Sequence, residues 1–106
     1  MTDARIAFVT AGSAAEAETI AGALVAEGLA ACVNILPEVS SIYQWKGKTE
    51  KDTEVKMVIK TTAGCIEALI SRVVELHSYE VCEVTVVPIV AGSEPYLNWI
   101  DANTRD

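Results

Sequence analysis

Hydrophobic periodicity along the chain changes in a fixed order, and that order leaves few folds open. Arg5 to Thr10 is a short apolar run of strand type, halted by Ala11-Gly12-Ser13. Ser13 and Glu16 have the spacing of a capping box, in which a hydroxyl and a carboxylate satisfy the free amides of a helix start. Ala17, Ile20, Ala21, Leu24 and Val25 give the helix that follows one apolar stripe, and Gly28 supplies its left-handed stop. Two strands come next, back to back. Ala30 to Leu36 runs up to Pro37, and after a break at Glu38-Val39-Ser40 the strand resumes over Ser41 to Lys46. Ser41, Tyr43 and Trp45 share one of its faces. Gly47 and the polar stretch Lys48 to Asp52 read as a turn. Thr53 to Thr61 alternates again, with Val55, Met57 and Ile59 on one face and Glu54, Lys56, Val58 and Lys60 on the other.

A second helix is predicted from Ala63 to Leu76, with Thr62 as its N-cap and Ile66, Leu69, Ile70 and Val73 as its apolar stripe. His77-Ser78-Tyr79-Glu80 ends it, and Val81 to Val90 forms the last strand. Pro88 lacks an amide donor, so it belongs at a sheet edge or a bulge. Beyond Gly92, Ser93 and Pro95 open a short terminal helix with Tyr96, Trp99 and Ile100 on one side. The order β-α-β-β-α-β predicts an α+β, ferredoxin-like fold: an antiparallel sheet, two helices on one face, a long hairpin between the second and third strands, and the terminal helix. A chain of 106 residues has room for one domain, residues 1–106. The face without helices carries Tyr43, Trp45, Val58, Val81, Val87 and Ile89, an apolar surface of the kind that marks an interface. A hairpin reaching past its own domain would cover a neighbour's sheet and hide strand edges, so oligomerisation is expected.

Charge excludes several classes of partner. Eight basic against fifteen acidic residues give a net charge of −7, with no basic cluster to meet a phosphate backbone, so no nucleic acid is expected. The same charge opposes an anionic membrane surface and concentrates cations nearby. The apolar runs fall short of the ~20 residues of a membrane helix, so no membrane is expected either. The opening Met1-Thr2-Asp3-Ala4-Arg5 has none of the pattern of a signal peptide. Three cysteines, Cys32, Cys65 and Cys82, cannot all pair within one chain and match no zinc ribbon, which points to a reducing cytoplasm. No nucleophile–base signature, phosphate loop or recognisably spaced carboxylate pair is present, so no enzyme activity is expected from the motifs.

Five segments carry a family resemblance: Leu29 to Ile35, Ser41 to Gly47, Glu54 with Lys60-Thr61, His77 to Glu83, and Tyr96 to Ile100. Together, and in this order, they resemble the CutA divalent-cation tolerance family over about Ile6 to Ile100. The resemblance implies a ferredoxin-like subunit in a tight homotrimer, similar in architecture to the PII signalling proteins, and an association with divalent cations, copper above all. Where that family usually reads His-Pro-Tyr-x-x-Pro-Glu, this chain has Ser78 and Cys82 in place of the prolines, which predicts a looser loop. Some members carry a Cys and a second His where this chain has Val9 and Leu76.

Two readings stand for each candidate site. His77 is the only imidazole; it is either a soft-metal ligand helped by Cys82 or Cys32, or a helix-end residue suited to the dipole there. Cys32 and Cys65 read as packing residues, and Cys82 as the thiol best placed for metal or redox chemistry. The resemblance implies that Glu54, Lys60 and Glu83 line a cleft between subunits, Lys60 beside two carboxylates either as an ion pair or as a seat for a small anion; the alternative is a solvated face. Tyr43, Trp45, Tyr96 and Trp99 are then the aromatic wall of that cleft, or simply the core of the interface. Three functions follow: a trimer binding copper, another divalent cation or a small ligand between subunits in a response to metal ions; an enzyme acting on a small metabolite in a shared cleft; and a trimeric scaffold or signalling adaptor.

Overall fold

The computed structural model describes residues 2–105, in the order β1 (Ala4–Ala11), α1 (Ala14–Ala26), β2 (Cys32–Trp45), β3 (Lys48–Thr62), α2 (Ile66–Leu76), β4 (Val84–Pro88) and α3 (Glu94–Ala102). The four strands form one antiparallel sheet in the spatial order β2-β3-β1-β4. This is the expected α+β, ferredoxin-like arrangement. Side chains alternate across each strand, so Ala7, Val9 and Ala11 of β1 and Val55, Met57 and Ile59 of β3 are buried on one face. They meet Ala17, Ile20 and Leu24 of α1 and Leu69 and Val73 of α2 in one apolar cluster. Val25 and Ile70, both expected in helix stripes, instead reach the surface. Each lies one position beyond the buried arc, where the 100° step per residue carries it toward water.

The hairpin departs from expectation in an instructive way. Pairing runs Leu36↔Lys56 and then Val39↔Glu54, so three steps on β2 match two on β3. That is a bulge, and Pro37 and Glu38 sit in it, where a missing donor costs no ladder bond. The expected break is thus a kink within one 14-residue strand. The polar stretch Lys48 to Asp52 is strand rather than turn, and the reversal is made by Lys46 and Gly47 alone, at φ 50° and 80°. Two successive positive φ values are the signature of the tight turn whose twist matches a β-hairpin. Polarity misled here because this stretch has β3's partner β2 on one side only. Pairing of β3 with β1 stops at Ala11↔Val55, so the hairpin from Val39 to Glu54 projects as an arm and stretches the molecule to 44 × 25 × 22 Å.

The last strand is shorter than expected, Val84–Pro88, with residues 81–83 and 89–90 outside it. β4 is an edge strand and Pro88 its final residue, as its missing donor requires. At the start of α1 the Ser13 hydroxyl accepts the Glu16 amide at 3.1 Å, as the capping box predicts. Thr62, in contrast, makes no capping bond, and a short 3-10 turn over Ala63–Cys65 leads into α2. In α3, Ile100 is fully buried while Tyr96 and Trp99 stack on each other in solvent, so the three do not share a side.

Candidate functional site

The arm and the loop after α2 enclose a cleft of about 740 Å³ at the end of the sheet where the hairpin leaves the body. Tyr43 and Trp45 project into it from β2, Asp52, Glu54 and Lys56 from β3, and Tyr79, Glu80 and Glu83 from the loop. Alternation explains the strand contributions: Glu54 and Lys56 occupy the helix-free face of β3, and Val39, opposite Glu54, puts Tyr43 and Trp45 of β2 on that same face.

The loop is held by a chain of polar contacts. His77 ends α2, its amide bonding the Val73 carbonyl at 2.9 Å, and its ring is fully enclosed. Ring Nε2 lies 2.7 Å from the Thr10 carbonyl oxygen, an atom that can only accept, so Nε2 carries the hydrogen. Nδ1 accepts the Tyr79 amide at 3.1 Å. Both ring nitrogens are therefore committed to fixing the loop. The Glu16 carboxylate accepts the Ser78 amide at 2.8 Å. Burial works to raise the Glu16 carboxyl, but hydrogen bonding to Ser78 leaves it below its ordinary value. A proline at position 78 has no amide hydrogen, so this bond is available because a residue other than proline stands there. The substitution thus gives up a fixed backbone angle and gains a bond to α1.

Tyr79 folds back from the loop so closely that a Cβ on Gly12 would stand 3.1 Å from its hydroxyl. That hydroxyl donates to Glu54 Oε2 at 2.7 Å, and Glu54 is only 8% exposed. Burial first, and then the bond to Glu54, push the Tyr79 phenol well up. Tyr43 makes a parallel contact from the arm, donating to Asp52 Oδ2, and that bond pushes its phenol up to about 12. Glu83 is saturated: it accepts from the Thr10 hydroxyl at 2.7 Å, the Thr85 hydroxyl at 2.8 Å and Lys56 Nζ at 3.0 Å. Burial raises its carboxyl, but those three donors together hold it below the ordinary value.

Within the single chain, the expected cleft residues Tyr43, Trp45, Glu54 and Glu83 come together, and Lys60, Tyr96 and Trp99 lie apart from them. Lys60 lies four residues further along the same face of β3 and donates to Asn34 Oδ1. The lysine beside a carboxylate is Lys56, which shares the face of Glu54 by strict alternation. Tyr96 and Trp99 ride on α3, which packs at the Thr62 end of β3, some seven residues or about 23 Å from the cleft. Tyr79 and Asp52 were missed as wall residues: Tyr79 stands in the quoted loop motif, and Asp52 was hidden by reading its segment as a turn.

The donor set around His77 does not fit a copper ion. Its two ring nitrogens are occupied, and burial pushes the Cys82 thiol up, which disfavours the thiolate that binds soft metals. Among the described residues, no three His, Cys, Asp or Glu side chains converge as metal ligands. Cys32, Cys65 and Cys82 are all free thiols; Cys65 is buried and donates to the Arg105 carbonyl, a packing role as expected, while Cys32 is half-exposed at the start of β2.

The class is that of ferredoxin-like α+β chains with a projecting two-stranded arm and a polar, aromatic cleft at its base. This chain belongs to the CutA1 divalent ion tolerance protein family, whose model matches residues 5–103. A divalent-cation tolerance protein of Thermus thermophilus is 44% identical over 99 residues, covering 93% of this chain and 96% of its own. The solved structure of the Thermus thermophilus protein superimposes with a TM-score of 0.94 at 43% identity over 96% of this chain and 99% of that one. CutA1 from Oryza sativa gives a TM-score of 0.96 at 37% identity over 99% of this chain and 96% of that one. The Xenopus laevis CutA homologue is 50% identical over 89% of this chain but 62% of its own length; this chain spans roughly half to three-fifths of the vertebrate relatives it matches.

Proposed function

We propose that this divalent-cation tolerance protein works as a homotrimer whose cleft binds a small ligand in the response to metal ions. The observation that carries the reading is the convergence of Tyr43, Trp45, Glu54, Lys56, Tyr79 and Glu83, from three separate parts of the chain, on one cleft beside the arm. Side chains with no role in the apolar core are held there by specific bonds, and a cleft of this size lies in the range that small-molecule sites occupy.

Assembly is supported by what the single subunit leaves open. Ile6 and Phe8 of β1, Val58 of β3 and Val87 of β4 lie on the helix-free face, and the arm has no third strand to pair with. A two-stranded ribbon is marginal alone in water, and sister chains supply the missing cover. The free thiols favour a reducing compartment, and we assign the protein to the cytoplasm on that basis. Other members carry other addresses in their names: chloroplastic for an Arabidopsis thaliana relative and periplasmic for that of Archaeoglobus fulgidus. Among the described residues no helix is long and apolar enough to cross a membrane.

Calorimetric titration of the reduced assembly with Cu(I) and Cu(II) tests the cation link. Because the cleft rather than the enclosed imidazole is accessible, any saturable heat is expected to fall with Glu54→Gln and to survive His77→Gln. No saturable heat with either ion would remove direct cation binding.

A further inference from the structure

His77 sits where its proton count decides a backbone bond. Nε2–H donates to the Thr10 carbonyl at 2.7 Å, and Nδ1 accepts the Tyr79 amide at 3.1 Å. Neither bond can be reversed, because a carbonyl only accepts and an amide N–H only donates, so one neutral tautomer fits. A second proton has one place to go, Nδ1, and there it points at the hydrogen of the Tyr79 amide. Two donors cannot share that contact. The ring is fully enclosed, so the exposed loop is the side that yields.

A receiver for the new N–H is already in place. Glu16 Oε2 lies 3.6 Å from Nδ1, on the first turn of α1. Its carboxyl stays below its ordinary value, hence ionised in the range where imidazoles change charge. The other groups around the ring leave this pairing free. β1 presents the Thr10 carbonyl, and the Thr10 hydroxyl is spent on Glu83, which Lys56 neutralises. On α2, Arg72 is committed to Glu27 and Glu75. From the loop, the Tyr79 ring stands 4.7 Å from the imidazole, with Glu54 of β3 behind its hydroxyl. Glu80 is exposed, and burial pushes the Cys82 thiol up, which keeps it uncharged.

What the amide holds is the loop itself. Among the described residues, no amide from Glu80 to Glu83 makes a hydrogen bond within the chain, so the Tyr79 N–H is the last backbone tie before β4. Ser78 to Val81 are exposed, and this stretch can move without opening the core. We propose that His77 is a proton switch: on protonation Nδ1 turns from accepting the Tyr79 amide to donating to Glu16, and the loop whose Tyr79, Glu80 and Val81 wall the cleft is released. The exchange takes place within one subunit and does not depend on what the cleft binds.

Nitrogen-15 spectra of the full chain in its native assembly, taken from about pH 8 to about pH 5, test this, and the single histidine makes the ring signals unambiguous. At the alkaline end the ring should show the Nε2–H tautomer. As it takes up its proton, hydrogen-exchange protection of the Tyr79 amide, corrected for the intrinsic rate, should fall about tenfold on the same curve, the loss of one hydrogen bond. Glu16→Gln keeps an oxygen for the Ser78 amide but removes the charge, and should lower the midpoint by about one pH unit. His77→Gln should leave Tyr79 protection independent of pH over this range. An Nδ1–H tautomer, a ring that stays neutral throughout, or Tyr79 protection that does not follow the ring would overturn the proposal. So would a midpoint that Glu16→Gln leaves in place.

Discussion

Removing the Tyr79 hydroxyl isolates the bond that joins the loop to the arm. In the wild type that hydroxyl lies 2.7 Å from Glu54 Oε2, on a carboxylate only 8% exposed. A hydrogen bond to a charged group contributes about 1.5–3 kcal/mol, and a buried carboxylate deprived of its donor keeps the cost of desolvation. Tyr79→Phe should therefore destabilise the subunit by about 2 kcal/mol, which for a domain of this size corresponds to a drop in Tm on the order of 10 °C. The measurement is thermal unfolding at fixed protomer concentration, since assembly makes Tm depend on it. Glu54→Gln and the double variant complete a cycle. If the bond acts as described, the two losses are non-additive, with a coupling of about 1–2 kcal/mol. Additivity to within about 0.5 kcal/mol would show that Tyr79 merely packs there, and the account of the loop would fail.

Three further outcomes follow from the same contacts. Ser78→Pro stiffens the unfolded chain, worth about 0.4–1 kcal/mol, but removes the amide that Glu16 accepts; the net is a loss of about 1 kcal/mol, read from denaturant unfolding, and a gain in stability would contradict the bond. Glu83 titrates below its ordinary value in the folded chain, so its contribution is present above the unfolded value and fades as pH falls through the folded one; Lys56→Met should raise that folded value in a carbon-13 carboxyl titration and shift the acid-side loss of stability to higher pH. The Tyr43 phenol, pushed up to about 12, favours the folded state below its unfolded value and loses that favour as pH rises through about 12; Asp52→Asn should bring its ultraviolet titration back toward the ordinary range near 10.

Alternation and helical spacing made most of the fold legible. Val55, Met57 and Ile59 were assigned to the core by period alone, and Ser13 and Pro88 by the hydrogen-bond chemistry of a helix start and a sheet edge. What escaped was set by features that leave no local mark. Lys48 to Asp52 is as polar as a turn because no third strand of its own chain pairs with the arm, and the two-residue reversal shows only in the φ of Lys46 and Gly47. The site was half legible for a related reason. Glu54, Tyr43, Trp45 and Glu83 were chosen from motif segments, and the sheet register brought them together. The same register put Lys56, not Lys60, beside Glu83, a four-residue difference that only tertiary pairing decides. The role of His77 was beyond sequence as well, because its partner at Thr10 is 67 residues away.

Sedimentation equilibrium of the purified chain, across a hundredfold range of concentration, bears on the whole picture more directly than any substitution. The proposed trimer, in which sister chains cover the bared sheet face and the arm, predicts a mass three times that of the 11.3 kDa chain, unchanged on dilution. A folded species of single-subunit mass would contradict it.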